Sequence, residues 1–406
     1  MAAEFPTAAT RYADTANLDA FSRLRVSDPV TIWDSTFVYD LQPNLFTTAV
    51  TNGTVAHSPN NSSAQLSVTA NTGASAVIMS KGYVRYQPGH SQLVLMTSIF
   101  GAATANIVKR QGYFDALDGI FLEQNGTTDV AFVRRTSTSG SAVDNRVVQA
   151  SWSIDPMNGS GPSGVTLDLS KCQIVVVDLQ WLGMGRVRVG FDVGGIIYYC
   201  HEFMCANVLT VPYMKQASLP VRWEIRNLSN TSIGSMLATC SSVLSEGGFQ
   251  TERGSGFATI NTADISVTTA KTHLVSIRMG TTFNGVSTRG IMVMIRDYQI
   301  LSGTNALLIE VIYGGTITGG SWVAVTGAAC ESNITATWST GGSTLASFFV
   351  GSSGAGTRTS SNAVAPFSFP ISVDPLTGAQ PILSLVATSV NATSLSRGAI
   401  NWVEFR

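Results

Sequence analysis

Charge is what this chain has least of: Asp, Glu, Lys and Arg make up 12% of its 406 residues, about half the share of an ordinary soluble domain. Its polar exterior must therefore be built from Ser, Thr, Asn, Gln and Gly. Such a surface suits a protein that packs in an assembly, because a buried ion is costly unless it is paired. It also suits extracellular β-proteins. With 24 basic and 25 acidic residues the formal net charge is −1, and no basic stripe breaks that balance. Lys109-Arg110 and Arg134-Arg135 stand as isolated pairs. No nucleic-acid partner is expected, since displacing counterions from phosphates needs clustered Lys and Arg.

Other absences narrow the choice further. The five cysteines (Cys172, Cys200, Cys205, Cys240 and Cys330) are odd in number and include no CxxC spacing, so neither a disulfide framework nor a zinc site is expected. Cys172 and Cys200 fall in apolar, strand-like runs and read as small core hydrophobes; reduced thiols fit a reducing cytoplasm. Met1–Thr10 shows no basic region followed by an apolar stretch, so no signal peptide is expected. No run approaches the roughly eighteen apolar residues of a membrane span. The weakly apolar Gly314–Cys330 is broken by Gly319-Gly320 and Ser321 and reads as β. GxSxG, HExxH and GxxxxGK[ST] are all missing.

Helix signals are equally scarce. Only Asn17–Arg25 has an approximate helical face, too short to be stable alone, and Pro29 ends it. Strand signals fill the remainder, and 44% hydrophobic residues supply ample core. Arg186–Val193, Gly194-Gly195 and Ile196–Phe203 read as a hairpin around a primed turn. Ile120–Gln124, Asn125-Gly126 and Asp129–Arg135 read the same way. Ile291–Ile300 and Ala306–Tyr313, joined by Ser302–Asn305, predict a third hairpin, with Trp322–Val325 pairing back onto Glu310–Tyr313. The apolar run in Gln173–Val177 marks a central strand covered on both faces.

These patterns predict an all-β chain with two antiparallel β-sandwich or jelly-roll-like domains after an N-terminal arm. The glycine-rich Ser245–Gly256 marks the boundary. The expected organisation is an arm over 1–50, a sandwich over 51–247 and a second over 248–406. Gly351–Asn362 reads as an exposed low-complexity loop.

Residues with chemical potential are few. Of four histidines (His57, His90, His201 and His273), His57 and His90 lie in turn-like contexts, while His201 continues a strand-like run and reads as a sheet residue. A Ser-His-Asp triad assembled only in three dimensions stays open. Asp115, Asp118 and Glu123 form the one acidic cluster. Its readings are a tight turn at Asp118-Gly119, a bound cation or a glycosidase carboxylate pair. Trp33, Trp152, Trp181 and Trp223 offer either core packing or a sugar-binding face. In 17–34, Arg23 and Arg25 alternate with Leu24 and Val26. This segment either docks on a partner or covers an edge of its own sheet. Phe21, Leu24, Arg25 and Trp33 are the expected docking contacts.

At that segment the chain resembles a known family. NLDAFSRLRVSDPVTIWDS (17–35) is similar to the opening DAF-x-RLRVS segment of a family of tailed-bacteriophage virion structural proteins. GYFDALDGIFLEQNG (112–126), VDNRV (143–147), residues 161–191, YYCHEFMCANVL (198–209) and AINWVEF (399–405) extend the resemblance over nearly the whole chain. It implies a non-enzymatic virion component without cofactors or catalytic residues, made in the host cytoplasm. Such a component sits on the capsid, neck or tail and contacts itself, as a trimer by analogy, and other virion proteins. A host-surface glycan is the alternative partner, and a polysaccharide depolymerase the more distant alternative.

Overall fold

Strands of this chain alternate apolar and polar residues, so each can bury one face only by facing a second sheet. That requirement is met twice. The computed structural model describes residues 18–19, 29–248, 253–352, 355–359 and 369–406. The chain is all-β: the described residues contain no α-helix, only single 3-10 turns at Pro59–Asn61 and Gln149–Ser151.

Two antiparallel sheets form the first unit. One runs in the order Ile196–Phe203, Val187–Val193, Gln173–Leu179, Gln92–Ile99, Gly234–Glu246, Ser63–Val68, Gly53–Ser58. The other runs Val143–Val148, Asp129–Thr136, Gly119–Asn125, Ile107–Phe114, Val221–Asn227, Ser75–Ser80, Phe46–Thr51. Between them lies a core in which Trp33, Phe37, Phe46 and Trp223 pack ring against ring, with centroids 5.0 to 6.2 Å apart. Phe132, Trp152 and Phe191 form a second aromatic group.

The long strand Gly234–Glu246 shares one edge between two neighbours. Ser63–Val68 pairs with its first half and Pro29–Thr36 with its second. Pro29–Thr36 and Phe46–Thr51 therefore belong to the sandwich, which corrects the expectation of an arm reaching residue 50. The cause is apolar content: Ile32, Trp33, Phe37 and Phe46 all fill the core.

The second unit repeats the layering. Its first sheet joins Ser255–Ile260, Ser394–Phe405, Met292–Ser302 and Ala355–Thr359. The other joins Val323–Ala324, Cys330–Asn333, Thr272–Met279, Leu383–Ser389, Leu307–Tyr313 and Ser343–Val350. Tyr298 and Trp402 from one sheet meet Val311 and Leu385 from the other in the core.

The hairpin at Gly194-Gly195 forms as expected, with φ of 67° and 84° that only glycine adopts freely. The Asn125-Gly126 hairpin also forms, and Gln173–Leu179 is an interior strand. The third expected hairpin does not. Met292–Ser302 pairs with Ser394–Phe405 in one sheet while Leu307–Tyr313 pairs with Ser343–Val350 and Leu383–Ser389 in the other. The turn between them carries the chain across the sandwich. Val323–Ala324 pairs with Cys330–Asn333 and not with 310–313. Cys172 is exposed, just outside its strand, while Cys200 is buried as expected.

A buried ion pair fixes the outer face of the first unit. Asp178 and Arg188 sit opposite each other on adjacent strands and both side chains are wholly buried. Arg188 donates from Nε to Asp178 over 3.2 Å and from Nη2 to the Leu18 carbonyl. Its guanidinium lies 4.2 Å from the Tyr199 ring centroid, and the Tyr199 hydroxyl donates to Asp178 over 3.1 Å. At Leu18 and Asp19, both buried, the chain thus folds back onto its own sheet. Room for Tyr199 is left by Gly190, where a Cβ would lie 2.0 Å from the Tyr198 carbonyl oxygen, beside an irregularity in the pairing. Gly190→Ala is expected to destabilise the protein by about 2 kcal/mol through overpacking, read as a lowered urea midpoint; an unchanged midpoint would contradict this packing.

Candidate functional site

Directly paired residues on neighbouring strands share a face, and this rule collects the arginines of the first unit. On the outer face of the seven-stranded sheet Glu224 pairs with Arg110, and Arg110 with Glu123. Arg135 pairs with Asp144, and Arg226 with Ser75. Arg146 and Arg222 lie on the same face. Arg110 bridges two acids, with Nε 2.7 Å from Glu123 and Nη1 3.3 Å from Glu224. Arg146 holds the other Glu123 oxygen at 2.8 Å. Glu224 also meets Arg222 at 2.5 Å and Arg226 at 3.5 Å.

Beneath the guanidinium groups lies a buried apolar patch of Phe114, Phe121, Ala131 and Val133. Arg135 stacks 5.1 Å from the Phe121 centroid and Arg222 5.1 Å from that of Phe114, close enough for cation–π attraction. Above the patch is an open groove of about 500 Å³ lined by Arg110, Arg135, Arg222, Arg226, Asp144 and Glu224. Burial alone would raise the Glu224 pKa, but Arg222, Arg110 and Arg226 outweigh it and hold the carboxyl below its usual range. Asp144 is lowered in the same way against its own burial, by Arg135. A glycosidase general acid needs the opposite shift.

Sequence reading missed this face. Its signal was present in RWEIRN (222–227), where charged residues alternate with apolar ones. The isolated pairs also divide: Arg110 points outward while Lys109 is buried among core residues, donating to the carbonyls of Phe100 and Ala102. Burial pushes the Lys109 pKa down to about 8.

The acidic cluster resolves differently. Asp115 and Asp118 converge on Arg289 of the second unit, one carboxylate on each terminal nitrogen. Asp115 also accepts from the Leu117 and Asp118 amides at 2.7 and 2.8 Å and from the Tyr83 hydroxyl at 3.1 Å. Asp118 accepts from the amides of Ser137 and Lys215, each at 2.9 Å. The turn at Asp118-Gly119 is present, and the positive charge it holds is a guanidinium. Among the described residues no three His, Cys, Asp or Glu side chains group as metal ligands. Glu123 is engaged apart from the other two acids, with Arg110 and Arg146.

Trp33 is 2% exposed and its indole donates to Ser241 over 2.9 Å. This core position corrects its reading as a docking contact. Trp152 and Trp223 are buried too, so packing accounts for them; Trp181 packs edge-on against Tyr86 and is half-buried, both lining an open cleft. Phe21, Leu24 and Arg25 lie outside the described residues.

Among the described residues two Ser–His contacts occur: Ser153 Oγ lies 3.0 Å from His201 Nδ1, and Ser276 Oγ 2.7 Å from His273 Nε2. Burial pushes both imidazoles down to about 4 from 6.5, so neither is a base tuned to neutral pH. His57 reaches the Phe37 carbonyl at 2.9 Å and is half-buried, not a free turn residue.

No family model and no curated protein matches the chain. Solved structures similar to it include arcelin-5, a lectin-like defence protein from Phaseolus vulgaris, at 9% identity and TM-score 0.33, covering 55% of this chain and 99% of that one. The legume lectin-like domain from Entamoeba histolytica shows 10% identity and TM-score 0.32, covering 53% and 98%. A glycosyl hydrolase family 16 protein from Mycobacterium smegmatis shows 14% identity and TM-score 0.36, covering 53% and 100%. The likeness concerns all-β architecture alone.

Two outcomes follow. Arg289→Ala leaves Asp115 and Asp118 buried without a counter-charge and should lower unfolding stability by about 3 kcal/mol or more. Combined with Asp115→Asn and Asp118→Asn, Arg289→Met should restore most of the loss; an undiminished urea midpoint in Arg289→Ala alone would contradict the clamp. For the histidines, the unfolded chain takes up a proton near pH 6.5 and the folded chain only near pH 4. The histidine contribution to stability is therefore level above pH 6.5 and declines as pH falls from 6.5 to 4, by at most about 3 kcal/mol per ring and by less where solvent screens it. Urea midpoints across that window check the slope, and His273→Asn should reduce it to the share of His201.

Proposed function

We propose that the chain is a non-enzymatic structural component of a tailed-phage particle, joined to copies of itself and to neighbouring virion proteins through sheet faces and its N-terminal segment. One observation carries this reading: much of an already small charge complement is engaged inside the fold. Arg188 with Asp178, Arg289 with Asp115 and Asp118, and Arg406 with Glu404 are pairs in which the acid is buried. What is left outside is sparsely charged and carries large apolar side chains, including Tyr39 at 91%, Phe349 at 73% and Ile233 at 71% exposure. Ile260, Leu301 and Leu395, all exposed, project from one outer sheet face of the second unit. Neutral surfaces with apolar anchors suit permanent subunit contacts. The family resemblance of 17–35 supports the same reading, and a trimer is the preferred assembly by analogy.

The docking role of the N-terminal segment is tested on particles. Deletion through residue 35 would remove the strand Pro29–Thr36 and its core side chains, so substitutions are the cleaner probe. A Phe21→Ala, Leu24→Ala, Arg25→Ala triple variant should keep the wild-type melting temperature. Its incorporation into particles should fall roughly tenfold or more, the loss expected of two or three anchor residues. A normal complement of the variant in purified particles would refute the docking role.

A second reading, a glycan-binding component that faces the host, is favoured by the arginine-lined groove. The expected loop Gly351–Asn362 does not offer such a site: Ala355–Thr359 is a strand paired with Met292–Ser302, and 353–354 and 360–362 lie outside the described residues. The groove takes its place.

A further inference from the structure

Four guanidinium groups (Arg110, Arg135, Arg222 and Arg226) and two carboxylates (Asp144 and Glu224) line the groove, in a chain whose formal net charge is −1. Three of the four arginines reach Glu224; Arg110 also meets Glu123, which is shared with Arg146 and its partner Asp129, so three carboxylates face four arginines and one positive charge is left over. Arg226 is the loosest, with its side chain 53% exposed and its Nε 3.5 Å from Glu224. We propose that this groove binds a saccharide unit bearing a single carboxylate, which takes the positive charge left over beside Arg226. The proposal rests on the glycan-binding reading and names its ligand class.

Chemistry discriminates between possible anions. A polyanion such as a nucleic acid meets Glu224, Asp144 and Glu123 at alternate positions on this face, so its regular charges would be repelled as often as attracted. A molecule with one isolated charge escapes that penalty. The neutral part of the ligand must satisfy two kinds of partner: guanidinium groups only donate hydrogen bonds, and carboxylates only accept them. Sugar hydroxyls do both, and a polyhydroxylated ring spanning the alternation satisfies each kind in turn. Amides of a peptide carry donor and acceptor at fixed spacing along an extended chain. The groove lies across the strands of a sheet face, not along an open edge where such a chain would pair.

Shape and rigidity agree with this choice. The volume of about 500 Å³ falls within the range of small-ligand sites. The arginines are held before any ligand arrives, Arg135 by a double hydrogen bond to Asp144 at 2.7 and 2.8 Å and Arg222 by Glu224 and the Phe114 ring. Donors fixed in this way lose little freedom on binding. Ser75 sits opposite Arg226 on the neighbouring strand and adds a hydroxyl to the wall.

The test uses the full-length protein on an array of oligosaccharides bearing one uronic or nonulosonic acid, each printed beside its carboxyl-reduced twin. Retention is expected on acidic members only, at least tenfold above the twin. It should drop at least tenfold both in Arg226→Ala, which removes the loosely held cation, and in Ser75→Trp, which fills the groove without altering charge. Thermal melting of both variants verifies that they fold. Equal retention on acidic members and their twins overturns the carboxylate while leaving glycan binding in place. Retention that survives both substitutions moves the ligand elsewhere and overturns the site. No retention on any member overturns the inference and the glycan-binding reading together.

Discussion

Desolvated arginine–carboxylate pairing is the constraint on which this structure depends. A buried ion left alone costs several kcal/mol, so each pair must form in one geometry only. Asp178 and Arg188 meet only if their two strands hold register. Arg289 meets Asp115 and Asp118 only if the two units pack as they do. Glu224 and Glu123 are neutralised only when four strands stand in order. Sheets built from many similar Val- and Ile-rich strands have weakly specified neighbours, and these pairs supply the discrimination that apolar pattern lacks.

Much of the architecture was legible in the sequence. Alternation and Gly-Gly or Asn-Gly turns identified the all-β class and two hairpins, because that chemistry is local. It failed at Ser302–Asn305, since a tight turn is compatible both with strands that pair and with strands that part to opposite sheets. The same limit misplaced Trp33. An aromatic residue near a presumed arm reads as an anchor, and only its partner Ser241, 208 positions away, shows that it is core. The arginine face is farther still from local signals. Its members extend from Arg110 to Arg226, and register alone collects them.

The two functional readings draw on different parts of one design. Internal pairing withdraws several charges from the exterior, which suits the proposed contact surfaces. On the seven-stranded sheet the pairing is left unbalanced, with more guanidinium than carboxylate around Glu224. A scaffold with one polarised face can be held in an assembly by its neutral surfaces while that face meets a soluble or surface-borne ligand.

The divided edge of Gly234–Glu246 governs how the molecule comes into being. Pro29–Thr36 emerges from the ribosome early, yet its hydrogen-bonding partner Cys240–Glu246 follows some two hundred residues later. Sheet closure must await nearly the entire first unit, a topology that folds slowly. Meanwhile Ile32 and Trp33 remain uncovered on the nascent chain, open to misassociation. Late closure of this kind would therefore favour chaperone assistance for the sandwich during synthesis.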